Sequence, residues 1–268
     1  MGVVNVTPDS FSDGGAFPDA AAAVAHGLAL VRDGADLVDV GGESTRPGAE
    51  RVPAEEELRR ALPVVRGLAE AGAVVSVDTM RAEVADAALG AGASLVNDVS
   101  GGLADPRMAE VVAAAGVPYV VMHWRGHSRD MDSRAAYDEV VTDVVAELRA
   151  RVDALVAVGV DPEQLVLDPG LGFAKKAEHS WALLAGLEAL HDLGRPLLVG
   201  ASRKGFLGLV LPDASGEPRP AAGREAATAA VTALVADRGA WGVRVHEAAA
   251  NADVVRVVAA VRAAGAGW

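Results

Sequence analysis

The sequence predicts a single-domain (β/α)8 barrel, or TIM barrel, over residues 1–268. Two observations support this fold class. Short apolar runs alternate eight times with longer, alanine-rich stretches, and each run ends near a polar residue or a glycine. The length of 268 residues also suits one barrel of this kind. In such a barrel the polar residues at the strand ends gather at one mouth, where catalytic groups lie.

The eight predicted strands are short runs composed mainly of valine and leucine, which is typical of buried parallel strands. The sixth shows the pattern well, because Asp168 follows three apolar residues and a Pro-Gly pair then forces a turn. In chain order the strands are predicted at Val3 to Val4, Leu37 to Val40, Val74 to Val77, Leu95 to Val96, Tyr119 to Val121, Leu165 to Leu167, Leu197 to Val199, and Val243.

A helix is predicted after each strand, because these stretches are rich in alanine and longer than the strands. Pro53 occupies the first position of the second helix, where its missing N–H costs nothing. The predicted helices are Asp19 to Asp33, Pro53 to Ala71, Arg81 to Leu89, Pro106 to Ala115, Ala135 to Val158, Glu178 to His191, one that follows Lys204 and ends near Arg238, and Ala252 to Ala264. The segment Leu211 to Gly223, rich in Pro, Gly and Asp, is predicted to be a surface insertion. A doubly wound open sheet is the alternative fold, but no G-x-G-x-x-G motif follows the first strand.

Composition limits the partners. The formal net charge of −13 argues against nucleic acid and anionic membranes, because both would repel the chain. A small anionic substrate would need a local cluster of cations. The absence of cysteine excludes disulfides and thiolate metal sites. No apolar run is long enough to span a membrane and no basic leader precedes the first strand, so a cytoplasmic location is expected.

Ten polar residues at or just after the strand ends are expected to ring one mouth of the barrel. They are Asn5, Asp39, Asp78, Asn97, Asp98, Asp168, Ser202, Lys204, Arg244 and His246. Some have a structural alternative: Asp39 and Asp98 could only bond neighbouring loops, and Asp168 could cap the next helix. The whole set is harder to explain by packing.

One group in this ring suits a flat heterocycle. It consists of Asp78, Asn97, Asp168 and Lys204. A carboxylate can accept two parallel N–H bonds from a 2-amino-pyrimidinone, and an amide matches the mixed donors and acceptors beside it.

A second group suits an anion such as diphosphate. Arg46, Arg244 and His246 are donors or cations, and they supply the local positive cluster that an acidic chain would need. Asn5 is an oxygen ligand of the kind that Mg²⁺ accepts when phosphate and water fill most of its shell.

Seven motifs resemble the dihydropteroate synthase family, in the family's order and over nearly the whole chain. They are Asn5 to Gly15 (NVTPDSFSDGG), Gly41 to Gly48 (GGESTRPG), Asp78-Thr79, Asn97 to Gly101 (NDVSG), Asp168 to Phe173 (DPGLGF), Ser202-Arg203-Lys204, and Arg244-Val245-His246. The first two are long and irregular, which makes them highly specific. Asp78-Thr79 alone would carry no information.

The resemblance implies a folate-pathway transferase that condenses 6-hydroxymethyl-7,8-dihydropterin diphosphate with 4-aminobenzoate, assisted by magnesium. The implied pterin site is Asp78, Asn97, Asp168 and Lys204; the diphosphate site is Asn5, Arg244 and His246, with Asn5 acting partly through the metal; and the 4-aminobenzoate site is Thr45, Arg46, Pro47, Phe173 and Ser202. Family members are typically homodimers, and sulfonamides compete for the 4-aminobenzoate site.

The chemistry predicts a dissociative substitution. Negative charge develops on the leaving diphosphate and positive charge on the pterin's methylene carbon, while the arylamine is already a neutral nucleophile, so no covalent enzyme intermediate is required. Catalytic contributions are expected from Asp9, Arg46, Lys204, Arg244 and His246. Asp9 is expected to organise metal or cation when the first loop closes over the substrates and excludes water.

Two alternatives stay open. A methyltetrahydrofolate-binding methyltransferase domain would share the pterin site but would need neither the first two loop motifs nor a diphosphate site. A non-catalytic pterin-binding paralogue would keep the motifs without turnover. Separately, His123, Trp124 and His127 follow the fifth strand; they suggest either a histidine with its hydrogen bonds satisfied in a loop or, as a minor alternative, a metal site.

Overall fold

The computed structural model describes residues 1–7, 20–44, 48–49, 51–127 and 131–265. These residues form short parallel strands whose first six members pair in chain order, while the last two pair with each other. The strands are β1 (Gly2–Asn5), β2 (Val38–Gly41), β3 (Val75–Asp78), β4 (Leu95–Asp98), β5 (Tyr119–Met122), β6 (Leu165–Asp168), β7 (Leu198–Val199) and β8 (Gly242–Val243).

Two further parallel bridges close these strands into a ring. Leu167 of β6 bridges Leu197 beside β7, and Gly2 of β1 bridges Val245 beyond β8. The amide of Val3 also donates to the carbonyl of Val245 over 3.0 Å. The predicted (β/α)8 barrel is therefore confirmed, and the open doubly wound sheet is excluded.

In the described part of the chain, one or two helices follow every strand and form the outer layer. They are α1 (Ala20–Arg32), α2 (Ala54–Glu70), α3 (Ala82–Gly90), α4 (Met108–Ala115), α5 (Val140–Ala157), α6 (Ala177–Ala185), α7 (Leu187–His191), α8 (Gly205–Leu209), α9 (Glu225–Asp237) and α10 (Ala248–Gly265). Of these, none has both the length and the apolar character needed to cross a membrane.

The single helix predicted from Glu178 to His191 is wrong, because Gly186 divides it into α6 and α7. The amide of Gly186 still donates to Ala182. A Cβ atom at Gly186 would lie 3.1 Å from both methyl carbons of Val141 in α5, so the glycine permits a close approach of the two helices.

Three other helical stretches differ from the prediction by more than two residues. A 3₁₀ turn occupies Met131–Arg134, and α5 begins at Val140 rather than at residue 135. The stretch after Lys204 contains two helices separated by residues 210–224, a mostly exposed segment that includes the predicted surface insertion. The last helix begins at Ala248, four residues earlier than predicted, because the run of three alanines there favours helix.

Alternation along the strands divides the interior into an apolar floor and a polar mouth. Leu95, Val120, Val166 and Leu198 form a compact apolar cluster inside the barrel. Their neighbours in sequence, such as Val96 and Val121, belong to the larger core between strands and helices. The inward positions nearer the strand ends are polar, which places the chemistry at one mouth.

Candidate functional site

A cavity of about 680 Å³ opens at the C-terminal ends of the strands. The polar strand-end residues predicted from the sequence line it, except Asp39 and Asp98. The lining consists of Asn5, Thr7, Ser44, Asp78, Asn97, Val99, Met122, Asp168, Gly172, Phe173, Gly200, Ser202, Arg203, Lys204, Gly205, Ala221, Ala222, Arg244 and His246.

Asp39 lies beneath the cavity instead of at its mouth. Its carboxylate is fully buried and accepts three hydrogen bonds, from Ser76 Oγ at 2.5 Å, Asn97 Nδ2 at 2.9 Å and Arg244 Nε at 2.6 Å. The loop contact considered for Asp39 is therefore not what the structure shows. Asp39 holds two cavity side chains from below, which fixes their orientation without contact with a ligand.

Asp98 has a structural role, because it bonds a neighbouring loop as the alternative interpretation of the sequence predicted. Its buried carboxylate accepts bonds from the amide and hydroxyl of Ser100, the amide of Gly102 and the hydroxyl of Tyr119, all at 2.7 to 2.9 Å. These bonds tie the loop after β4 to β5 and oppose the rise in the pKa of Asp98 that burial causes.

Asp78 and Arg244 form an ion pair in the cavity, with Arg244 Nη2 at 2.8 Å from Asp78 Oδ2. Burial raises the pKa of Asp78 to about 7; Arg244 opposes this rise and nearby Asp39 adds to it. Burial works against the charge of Arg244, yet Asp39 and Asp78 together raise its pKa above the usual value. The carboxylates therefore hold a fixed positive charge in the cavity wall.

Asp168 and Lys204 lie close together in the cavity, since a Cβ atom at Gly200 would lie 3.8 Å from both Asp168 Oδ2 and Lys204 Nζ. Asp168 Oδ1 accepts the amide of Gly170 at 2.7 Å. Burial raises the pKa of Asp168, against the effect of Lys204, and lowers the pKa of Lys204 to about 8, against the effect of Asp168. Lys204 Nζ donates to the carbonyl of Leu171 and lies 4.7 Å from the centre of the Phe173 ring.

Ser202 and His246 are joined across the ends of β7 and β8. Ser202 Oγ is 3.0 Å from His246 Nδ1 and accepts the backbone amide of His246 at 3.2 Å. Arg203, between Ser202 and Lys204, has a φ of 60°, and its amide donates to Thr228 Oγ1. This left-handed turn places both Ser202 and Lys204 in the cavity lining.

Asn5 ends β1 in register with Gly41 and lines the cavity. In the described ranges no three His, Asp or Glu side chains are grouped to hold a metal ion. The amide oxygen of Asn5 is suited to one position of an oxygen shell whose other ligands come from phosphate and water. Asn5 thus fits one ligand position of such an oxygen shell.

Four residues with predicted roles, Asp9, Thr45, Arg46 and Pro47, lie outside the described residues. The chain just before the last three is well anchored. Glu43 accepts bonds from Arg81 Nη1 at 2.8 Å and from the amide of Val52 at 3.1 Å.

Behind the cavity lies a polar network that no pattern in the sequence indicates. Lys175 contacts His123, which in turn contacts Glu147. The reading of His123 as a histidine with its hydrogen bonds satisfied is confirmed. Lys175 stands beside Lys176 in an Ala-Lys-Lys-Ala stretch, so no pattern distinguishes the buried lysine from an exposed one.

Comparison with known proteins agrees with the geometry of the cavity. Residues 1–246 match the family described as pterin binding enzyme. The dihydropteroate synthase of Mycobacterium leprae is 58% identical over 97% of this chain and 92% of that protein.

Solved structures agree as well. A Xanthomonas albilineans dihydropteroate synthase with 4-aminobenzoic acid has a TM-score of 0.90 and 46% identity over 98% of this chain and 92% of its own. A complex of the enzyme from that organism with 7,8-dihydropteroate has a TM-score of 0.86 and 43% identity over 98% and 93% of the two chains. The chain therefore belongs to the pterin-binding enzyme family and, within it, to the dihydropteroate synthases.

Proposed function

We propose that this chain is a transferase of folate synthesis that condenses 6-hydroxymethyl-7,8-dihydropterin diphosphate with 4-aminobenzoate, giving 7,8-dihydropteroate and diphosphate. One observation carries the proposal: a single cavity is lined by buried carboxylates and an amide next to basic side chains. A flat, amide-like ring and an anion attached to it require these two environments next to each other.

The pterin is assigned to Asp78, Asn97, Asp168 and Lys204. Within the described part of the chain, Asp168 Oδ1 is occupied by Gly170, while Oδ2 makes no hydrogen bond and remains to accept the pterin's N–H groups. Asn97 keeps its amide oxygen for the ligand because its nitrogen donates to Asp39. These groups are preorganised acceptors, which favours one orientation of the ring.

The diphosphate is assigned to Asn5, Arg244 and His246. Two nitrogens of Arg244 bond carboxylates, and Nη1 has no hydrogen-bond partner among the described residues, so this edge is the one available to a phosphate oxygen. The 4-aminobenzoate is assigned to Phe173 and Ser202, together with Thr45, Arg46 and Pro47.

The reaction breaks the bond between the pterin's methylene carbon and a diphosphate oxygen, and the aminobenzoate nitrogen then bonds that carbon. Arg244, His246 and Arg46 stabilise negative charge on the departing oxygen, and Lys204 fixes the pterin ring, which delocalises positive charge from the carbon. The arylamine attacks as a neutral nucleophile and then loses a proton, so the enzyme forms no covalent bond. Asp9 is assigned to the closed first loop, where it orders the cationic partner of the diphosphate.

Magnesium is the proposed cofactor, with Asn5 as a protein ligand. When bound, the ion would neutralise part of the charge on the leaving diphosphate. The residues described above bind and orient the substrates and exclude water around them.

The test is formation of 7,8-dihydropteroate from the two purified substrates and Mg²⁺. We expect product in equal amount to the diphosphate released, and competitive inhibition of 4-aminobenzoate use by a sulfonamide. Tight pterin binding without product would instead indicate the non-catalytic paralogue. Methyltetrahydrofolate binding with no response to the diphosphate substrate would indicate the methyltransferase domain.

The pH dependence of kcat/KM should show a narrow maximum between pH 7 and pH 8, because these are the approximate pKa values of Asp78 and Lys204. The pterin site needs the Asp78 carboxylate ionised, so activity rises as pH rises through 7. It also needs Lys204 protonated, so activity falls as pH rises through 8. Lys204→Arg stays protonated and should remove only the alkaline limb. A flat profile from about pH 6 to about pH 9 would disprove both assignments.

Three further proposals concern the whole protein. The chain is assigned to one pterin-binding domain over residues 1–268 and to a homodimer. Exposed Leu234, Val257 and Val261 on α9 and α10 support self-association, which sedimentation equilibrium can measure. The cytoplasmic location stays a prediction from the sequence.

A further inference from the structure

Lys175 is a buried lysine that the reaction described above does not use. The residue is 8% exposed, and its Nζ lies 2.8 Å from His123 Nδ1 and donates to the carbonyl of Phe173 at 3.1 Å. His123 is 3% exposed, and its Nε2 lies 2.9 Å from Glu147 Oε2. Burying a lysine and a histidine is costly, so their hydrogen bonds must serve the structure around them.

Glu147 fixes the direction of the hydrogen bonds in this network. Its carboxylate can only accept, so His123 Nε2 must carry a hydrogen. Burial lowers the pKa of His123 to about 4, and the bond to Glu147 opposes this only in part, so the ring is neutral near pH 7. His123 Nδ1 therefore accepts, and Lys175 must donate to it. Arg125 secures Glu147 by donating from two nitrogens to its carboxylate.

Lys175 supports the turn that follows β6. Ala174 in this turn is buried and has a φ of 47°, a left-handed conformation that alanine rarely adopts. The carbonyls on both sides of it are held: Phe173 O by Lys175 Nζ, and Ala174 O by the hydroxyl of Tyr137 at 3.0 Å. These bonds favour the left-handed conformation of Ala174.

The same turn borders the proposed pterin site through Lys204 and carries Phe173, which is assigned to 4-aminobenzoate. On the cavity side, Lys204 donates to Leu171 O and lies over the ring of Phe173. On the side of the turn away from the cavity the packing is tight, since a Cβ atom at Gly170 would lie 2.5 Å from His123 O and 3.3 Å from Lys175 Nζ. The turn is thus clamped between Lys204 in the cavity and Lys175 behind it.

We propose that Lys175 is a positioning residue for pterin binding: oriented by His123 and Glu147, it fixes the turn of residues 170–174 that places Phe173 and the Lys204 contact in the cavity. Lys175 does not line the cavity, so it acts through residues that do: those of the turn, Lys204, and Asp168, whose pKa its charge lowers. The inference rests on the proposed function, because it assigns the pterin to this end of the site.

The test compares Lys175→Met with Lys176→Met, a matched change at the adjacent, exposed lysine. The methionine side chain is close in length to that of lysine but cannot donate a hydrogen bond. Calorimetric titration with 6-hydroxymethyl-7,8-dihydropterin, which has no diphosphate and cannot react, gives Kd and the folded fraction. We expect Lys175→Met to weaken binding about 10-fold or more, as loss of an outer-shell partner does at metal sites, and to raise KM for the pterin substrate in parallel. Lys176→Met should stay within about 2-fold of the wild type.

Glu147→Gln provides a second variant at a partly exposed position, in case Lys175→Met folds poorly. It removes the charge that sets the His123 tautomer and should weaken pterin binding in the same direction. If Glu147 acts through Lys175, its effect disappears in the Lys175→Met background, which a double-mutant cycle measures.

A Kd for Lys175→Met equal to that of Lys176→Met, with only the melting temperature lowered, would show a purely structural role and overturn the inference. Independent, additive effects of the two sites would also overturn it. If the wild-type protein binds the pterin but forms no dihydropteroate, only the proposed activity is refuted. The role of Lys175 is still decided by the ratio of the Kd values of Lys175→Met and Lys176→Met. Wild-type protein that binds no pterin would refute both.

Discussion

Asp168→Asn is expected to lower kcat/KM for the pterin substrate by about 10³-fold, or about 4 kcal/mol of transition-state stabilisation. Asparagine has the same shape, and its oxygen can keep the bond that Asp168 Oδ1 accepts from Gly170. Its NH₂ group then replaces Oδ2 and meets the N–H donors of the pterin. Two donors face each other at a buried site, and the adjacent charge of Lys204 loses its counter-charge.

The control for this variant is Asp86→Asn, the same change at an exposed position of α3. It should leave kcat/KM within about 2-fold of the wild type, because exposed substitutions rarely exceed about 0.5 kcal/mol. Steady-state kinetics with varied pterin substrate separates the variants. If Asp168→Asn retained a tenth or more of the wild-type kcat/KM, the assignment of Asp168 to the pterin site would be wrong.

Arg244→Met is expected to abolish measurable turnover and to lower the free energy of unfolding by about 3–5 kcal/mol near pH 8. The substitution leaves the buried carboxylates of Asp39 and Asp78 without their shared cation, at distances of 2.6 and 2.8 Å in the wild type. Urea unfolding measures the loss. Arg256→Met, which breaks an exposed pair with Asp253, should cost less than about 1 kcal/mol.

The loss of stability in Arg244→Met should depend on pH. Burial already raises the pKa of Asp78 to about 7, and removing Arg244 raises it further. In the folded variant the Asp78 carboxyl then keeps its proton to a higher pH than in the unfolded chain. The free energy of unfolding of the variant therefore falls as pH rises through the folded-state pKa of Asp78. We expect a smaller deficit near pH 6 than near pH 8. The double variant Arg244→Met/Asp39→Asn should recover part of the loss, and an equal deficit at both pH values in the single variant would contradict the proposed charge pairing.

The barrel could be predicted from the sequence because each apolar strand is followed, within a few residues, by a polar residue or a glycine. Closure of the ring then places Asn5, Asp78 and Asp168 at one mouth by topology alone. Their chemical division also follows from residue types, since carboxylates and guanidinium groups differ in what they can accept or donate.

The depth of each polar group could not be predicted. Asp39 and Asp78 both occupy inward positions of adjacent strands, but Asp39 is two residues from the end of β2, which places it beneath the cavity. In the sequence Gly186 looks like any helix glycine, because its reason, the close approach of α5, is visible only in the fold. Lys175 reads as a surface lysine, because its partners His123 and Glu147 come from distant parts of the chain.

The most direct test is release of diphosphate from the dihydropterin diphosphate with Mg²⁺, measured with and without 4-aminobenzoate. The proposed pterin and diphosphate sites, which adjoin in the cavity, predict release that depends on 4-aminobenzoate, matches dihydropteroate formation, and collapses in Lys204→Ala. Release at the same rate without 4-aminobenzoate would indicate a hydrolase. No release from folded wild-type protein that still binds the pterin would contradict the proposed transferase activity.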